Sequence, residues 1–460
     1  MSELLVRDPP VAPGLPLLGS LGPMLTDPLQ FLVKTHLALG PVFALRVLNR
    51  RFVVLAGAEA NQFMIGNERA HLRNGPVFGG FGEELGGELF LASADGDTHK
   101  RLRRIQTPSY SADHIETRVP EVVRGVRRRL GALAPGQILD VQRLFQLLLA
   151  EQVGLLLHNQ DDVAEVLDDL IRVFRGALSV RVMRQWPPAV LLWPAYRRSK
   201  RRILNYAERI VARHRAEPVD GRNDLVDDAI AAVARGDLIV EENLRLLTLG
   251  PLFGGIDTAS NTAAFALFNV LARPEVRARV MAEVDEVFAA EETPTWEAFK
   301  GMKALRWLIM ETLRMYPVAY LAPRYVEKEF SFAGHHIAAG QQLFMATAVP
   351  HFLPALFPEP YTFDIDRYAE PRREHARAGA YAPFGTGVHT CLGARFAQSQ
   401  LMVTLATLLR TLKLELDPPG YTLKVRSTPV TMPVGLRVRL TEAPRPSSEA
   451  PAPWPPFAVS

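Results

Sequence analysis

The chain has 460 residues, 48% of them hydrophobic, with 53 Lys and Arg against 49 Asp and Glu for a net charge of +4. That apolar share builds a sizeable core, and so mild a charge excludes a protein held to nucleic acid by electrostatics. A single cysteine excludes an intramolecular disulfide and fits a reducing compartment, so a cytoplasmic location is expected. Residues 1–10 hold charges and two prolines but no apolar signal region, and no run approaches the roughly 18 apolar residues of a membrane span. A monomer without a membrane span is expected.

In chain order, residues 1–25 are a proline-rich N-terminal segment, from Pro9-Pro10 through Gly19. A helix is predicted over 28–39, then two strands over 42–48 and 51–55 with a turn at Asn49-Arg50, then a short helix over 59–65. Residues 75–87 hold six glycines with Phe78 and Phe81, which predicts a mobile loop. From 98 to 313 the apolar period is mostly helical, broken at Pro135-Gly136, at Trp186-Pro187-Pro188 and at Pro218 to Gly221. Strand-like pieces follow at 325–337, 343–348 and 412–416. Residues 443–460, rich in Pro, Ser and Ala, predict a disordered tail. The picture is mainly α with small β-sheets (α+β).

Cys391 sits in Phe384-Gly385-Thr386-Gly387-Val388-His389-Thr390-Cys391-Leu392-Gly393, and the apolar period of 394–412 predicts a helix just beyond it. Unpaired amides and the dipole at a helix start favour a thiolate, which is either a nucleophile or a metal ligand. Gly387 permits a tight turn, and Gly393 removes a side chain where a flat partner could approach the backbone. That combination suits axial ligation of haem iron by Cys391. The segment resembles the haem-binding loop of the cytochrome P450 family, Phe-x-x-Gly-x-(Arg/His)-x-Cys-x-Gly. Phe384, Gly387, His389, Cys391 and Gly393 fill its specified positions.

Three further motifs gain meaning beside that resemblance. Glu311-Thr312-Leu313-Arg314 puts a Glu and an Arg on one face of an apolar helix, 307–316. Other Glu-x-x-Arg copies exist, but only this one lies among large apolar residues, where an ion pair needs partners. The family's meander, which 363–368 resembles, implies that Arg367 joins this pair in a structural role. Gly254-Gly255-Ile256-Asp257-Thr258 is similar to the family's distal helix, (Ala/Gly)-Gly-x-(Asp/Glu)-Thr. There the resemblance makes Thr258 a holder of water or distal oxygen and Asp257 a proton relay. Pro251, one turn earlier, predicts a kink. His99 and Arg103 fall on one face of the 99–104 helix; the resemblance assigns them, with Arg324 and His389, to the haem propionates. Lys100, Arg101 and Arg104 point away from that face.

The resemblance thus implies the cytochrome P450 fold. Residues 1–25 resemble the family's proline-rich hinge segment, and residues 26–442 form a single large domain with haem b (iron protoporphyrin IX) between the distal and proximal helices. It implies a monooxygenase that inserts one atom of dioxygen into a bulky hydrophobic substrate: a terpenoid, steroid, fatty acid or polyketide. The lining segments by resemblance are 78–90, 177–193, 252–258, 318–322 and 428–432. Electrons come from a ferredoxin- or flavodoxin-type donor with its reductase. It docks on a basic face of Lys100, Arg101, Arg104, Arg124, Arg127, Arg128 and Arg129. A haem-thiolate peroxygenase or isomerase is the first alternative, although such forms commonly lose the acid–Thr pair. A non-catalytic haem-binding protein would have no need of that pair. A Cys391–His389 hydrolase lacks a third orienting group. The segment 186–193 reads as an entrance lid, a membrane contact or plain loop packing.

Overall fold

A computed structural model describes residues 7–160, 162–217, 224–428 and 430–454. The chain divides into two compact units, each assembled from separated stretches: 1–80, 92–97 and 313–391 in the first, and 81–91, 98–312 and 392–460 in the second.

The first unit is built on a five-stranded sheet. Val42–Val47 pairs antiparallel with Arg50–Ala56, so the turn falls at Leu48-Asn49, one residue before the expected place. Gln342–Ala346 lies parallel to Arg50–Ala56, Ala322–Val326 runs antiparallel to it, and Leu72–Arg73 closes the edge. Alternate residues feed two cores. Val42, Val53, Leu55, Leu343 and Met345 pack with Ala60 and Met64, while Phe43, Leu45, Val54 and Ala56 pack with Leu32 and Val33. Because both faces are covered, these strands are nearly continuous apolar runs. Each fully buried Val, Leu or Phe contributes about 1.5–3 kcal/mol.

The second unit centres on the helix Leu244–Ala272, which packs along Val141–His158 and Pro194–Ala216. It is apolar around nearly its whole circumference, the mark of a helix enclosed by others. Asp140 caps Val141–His158 through the Arg143 amide at 2.9 Å, and Asn159 ends it in the left-handed conformation. A small sheet of Ile138–Asp140, Arg437–Leu440 and Leu414–Asp417 completes the unit.

Three expectations change. The glycine-rich stretch is not a loop: Gly75–Glu84 is a helix. The Asp95 carboxylate accepts the Asn74 and Gly75 amides at its start (2.8–3.0 Å), and Phe81 is buried against Phe90, Phe174 and Phe253. These contacts outweigh glycine's poor helix propensity. The helix expected over 59–65 runs Ala58–His71, because its polar second half still buries Glu68. Pro251 lies inside the single helix Leu244–Ala272. Residues 443–454 contain no helix or strand, yet they are tied down: Arg445 N–H donates to Thr411 O at 2.9 Å and Ala452 N–H to Arg128 O at 3.0 Å. Residues 455–460, and the break expected at 218–221, lie outside the described residues. Among the described residues no helix is long and apolar enough to cross a membrane.

Candidate functional site

In the first unit the cysteine segment folds into a loop pinned by its own backbone. Cys391 N–H donates to Phe384 O at 3.0 Å, and Thr390 closes on Gly387 O through both its amide (3.3 Å) and its hydroxyl (2.7 Å). Gly387 has φ +77°, and a Cβ there would stand 2.2 Å from Glu68 Oε2, so only glycine fits. Within this half-buried loop Cys391 itself is exposed. The next helix, Ala394–Thr411, starts three residues later with Gly393 at its N-cap position.

The cations expected near this loop come with carboxylate partners. Arg324, buried on its strand, donates from Nε to Glu68 Oε1 at 2.6 Å. His389 Nε2 lies 3.5 Å from Asp95 Oδ1. Burial alone would raise the Asp95 carboxyl, but His389 and the amides of Asn74 and Gly75 outweigh it and hold the group below the usual carboxylate range. Neither Glu68 nor Asp95 was singled out in the sequence. The only signal was an acid placed on an otherwise buried helix face or beside a glycine-rich start.

Behind the loop lie two arginines with almost no exposure, and they share an acceptor. Arg314 donates to His351 O and Pro360 O, both at 2.7 Å, and to Thr362 O at 3.4 Å. Arg367 donates to the same Thr362 O at 3.0 Å, to Glu359 O at 2.7 Å and to Glu374 Oε2 at 2.9 Å. A buried guanidinium is tolerable only when its fork is filled in this way. Glu374, which also takes Arg372, is the buried acid that the motif reading missed. Glu311, fully buried, shares the helix Lys303–Met315 with Arg314. His351 is buried beside Arg314; burial first and that charge second push its pKa down to about 3. The neutral ring accepts the Ala382 N–H at Nε2 (3.1 Å), two residues before Phe384.

In the second unit, Asp257 and Thr258 sit mid-helix rather than at a cap. Asp257 is buried and fully engaged. Arg175 Nε reaches Oδ2 at 2.6 Å, Arg175 Nη2 reaches Oδ1 at 2.9 Å, and Gln146 Nε2 reaches Oδ1 at 2.8 Å. Thr258 donates its hydroxyl proton to Gly254 O at 2.6 Å, which leaves its lone pairs free to accept. Gly254 is exposed and Gly255 and Thr258 half-buried on a helix otherwise buried at this level; a Cβ built at Gly254 meets nothing within 4 Å, whereas one at Gly255 meets Val153 at 3.6 Å. Phe253 stacks on Phe174 at 6.0 Å, and Phe81 and Phe90 extend the aromatic cluster.

His99 and Arg103 lie one turn apart on Gly96–Gln106, His99 buried, with Lys100, Arg101 and Arg104 exposed as expected. The second basic group is different. Arg127 is buried and paired with Glu292 at 2.9 Å, and Arg129 is held by Glu151 at 2.8 Å, so only Arg124 is openly exposed there. A cleft of 260 Å³ lined by Glu121, Arg124, Gln152 and Glu449 holds none of the candidate site residues.

Comparison with known proteins places these features. Residues 9–437 match the family described as Cytochrome P450. The chain is 27% identical to cyclooctat-9-en-7-ol 5-monooxygenase of Streptomyces melanosporofaciens over 90% of both chains. It is 25% identical to sterol 14alpha-demethylase of Mycolicibacterium vanbaalenii over 87% of this chain and 90% of that one. The crystal structure of the cytochrome P450DA heme domain superposes with a TM-score of 0.82 over 95% of this chain and 98% of that one, at 22% identity. The chain therefore belongs to the cytochrome P450 family, haem-iron oxidoreductases of the monooxygenase class.

Proposed function

We propose that this chain binds haem b through Cys391 and inserts one atom of dioxygen into a bulky hydrophobic substrate, using electrons from a separate ferredoxin- or flavodoxin-type donor and its reductase. The observation that carries the reading is the exposed, sole cysteine at the end of a loop whose every turn is pinned. The residues fit the group. A thiolate ligand must be reachable, and Cys391 is exposed; a flat ligand needs an open stretch of helix, which Gly254 and Thr258 supply. Arg324, His389, His99 and Arg103 are the cations we assign to the two propionates, with Phe384, Gly387 and Gly393 shaping the bed. When bound, the haem supplies the oxygen activation, and the protein supplies ligation, placement and protons.

Each residue role follows from its bonds. Thr258, its own proton spent on Gly254 O, accepts a hydrogen bond and so fixes a water on the open strip. Asp257 can deliver a proton only after giving up part of its hold on Arg175, since a guanidinium stays protonated and cannot relay. Arg175 is partly exposed, so the ion pair borders solvent on the arginine side. Phe90 and Phe174, half-buried and backed by the buried Phe81 and Phe253, offer a carbon surface to an apolar substrate. Relatives named for a cyclooctatenol and a sterol support that class of substrate. Glu311, Arg314 and Arg367 keep the framework behind the cysteine loop rigid.

The test is spectroscopic. The reduced carbon monoxide adduct of the purified, haem-loaded protein should show the strongly red-shifted Soret band of thiolate ligation, and Cys391→Ser should fold but lose it. A fully loaded wild type without that band overturns the assignment. Turnover with donor and dioxygen, against peroxide alone, separates the monooxygenase from a peroxygenase.

A further inference from the structure

Glu68 is a buried carboxylate, 1% exposed, that no step above uses. Its two oxygens are divided between two distant stretches of the first unit. Oε1 accepts from Arg324 Nε at 2.6 Å, and Oε2 accepts the Val388 amide at 2.7 Å, three residues before Cys391. Burying an unpaired carboxylate is expensive, and here the cost is met on both sides by donors. The helix Ala58–His71 presents a whole face to the same loop. Asn61, Met64 and Glu68 recur at helical spacing, all about 1% exposed. Asn61 O accepts the Thr386 hydroxyl at 3.3 Å, Met64 O lies 3.1 Å from a Cβ built at Gly387, and Asn61 Nδ2 holds Gly379 O at 2.9 Å.

Arg324 is oriented by this arrangement. Its Nε is taken by Glu68 and its Nη1 by Pro323 O at 2.9 Å, while Nη2 has no hydrogen bond among the described residues. One end of the guanidinium is thus fixed, and the other is available to an anionic ligand. We infer that Glu68 is a positioning residue that couples the propionate-binding cation Arg324 to the loop carrying Cys391, so that one carboxylate sets the place of both. This rests on the haem-thiolate reading above. A glutamine cannot replace it. The amide has one acceptor and one donor, and both Arg324 Nε and the Val388 amide are donors, so one of the two bonds must be lost.

The experiment compares haem-loaded wild type, Glu68→Gln and Asn61→Ala. The last loosens the same helix face without touching Arg324 or Val388. Two readouts are taken: the share of the reduced carbon monoxide adduct lacking the red-shifted Soret band, and hydrogen exchange at the Val388 amide. Glu68→Gln should raise that share several-fold above both other proteins. It should also speed Val388 exchange about tenfold if the amide oxygen stays with Arg324, and leave that exchange unchanged, with the spectral share alone raised, if the oxygen stays with Val388. If it matches Asn61→Ala in both readouts, Glu68 is merely structural and the inference fails. If wild type itself lacks the band, it is the haem-thiolate reading that fails, while the Val388 exchange still reports on the Glu68 bond. Should Glu68→Gln not fold, Glu68→Asp, which keeps the charge and withdraws it by one carbon, is judged by the same two outcomes.

Discussion

Asp257 receives three hydrogen bonds from two side chains, Arg175 and Gln146, which lie 82 and 111 residues away in sequence. Removing one partner of a buried ion pair leaves a charge without compensation, so Arg175→Leu should cost about 3 kcal/mol, reduced somewhat because Arg175 touches water. Urea unfolding of the loaded protein measures it; a loss under about 1 kcal/mol would mean that solvent already screens the pair. The acid–Thr pair was legible because glycines and a charge are conspicuous in an apolar helix. Its partners were not. Arg175 is one of several arginines in its stretch, and nothing local marks it. Gln146 carried a faint signal, a lone amide in the apolar run Leu144 to Ala150 that needs somewhere to spend its hydrogen bonds.

Helices with a strong apolar period were read close to their true bounds, as Pro28–Leu39 and Ala394–Thr411 show. Gly75–Glu84 was misread because its stability comes from elsewhere, through the Asp95 carboxylate and the burial of Phe81. The same lesson narrows the docking face for an electron donor. On Gly96–Gln106, Lys100 and Arg104 are exposed, whereas Arg127 and Arg129 of Val119–Leu130 are spent on Glu292 and Glu151. A charge count could not tell a free arginine from a paired one. The combined Lys100→Glu, Arg104→Glu and Arg124→Glu variant should slow reduction by an acidic ferredoxin at least about tenfold at low salt and converge with wild type at high salt. Stopped-flow reduction decides it, and an unchanged rate at low salt removes this face as the docking site.

At the scale of the molecule, buried histidines set how stability answers to pH. His351 and His158 are both fully buried, and desolvation is the leading cause that pushes them down to about 3 and about 4. An unfolded histidine protonates near pH 6.5, so below that value the unfolded chain takes up protons that the folded one refuses. Their stabilisation is present above pH 6.5 and is lost as pH falls toward their folded values. His214 has the opposite sign. Burial alone would lower its pKa, but the bond to Asp224 at 2.9 Å outweighs this and raises it, and its other nitrogen donates to Ile210 O at 2.8 Å. Its contribution is present below pH 6.5 and is lost as pH rises through its folded value. Melting temperature should therefore fall steadily from about pH 6.5 to pH 5, and His351→Gln should flatten part of that slope. A slope identical in the variant would remove His351 as a cause. None of this was legible in the sequence, where these three histidines look like any others; only their packing separates a neutral ring from a charged one.

The final turn of Val119–Leu130 leaves carbonyls short of intrahelical partners, and two of them take donors from far downstream, although Arg129 O also accepts the Ala132 amide at 3.3 Å. Ala452 N–H donates to Arg128 O, and Trp454 Nε1 donates to Arg129 O at 2.7 Å across 325 positions. On a ribosome that helix end lacks these partners until Trp454, 325 positions downstream of Arg129, has emerged. Purification tags fused next to Trp454 thus press on an early-made helix rather than dangling from an inert stub.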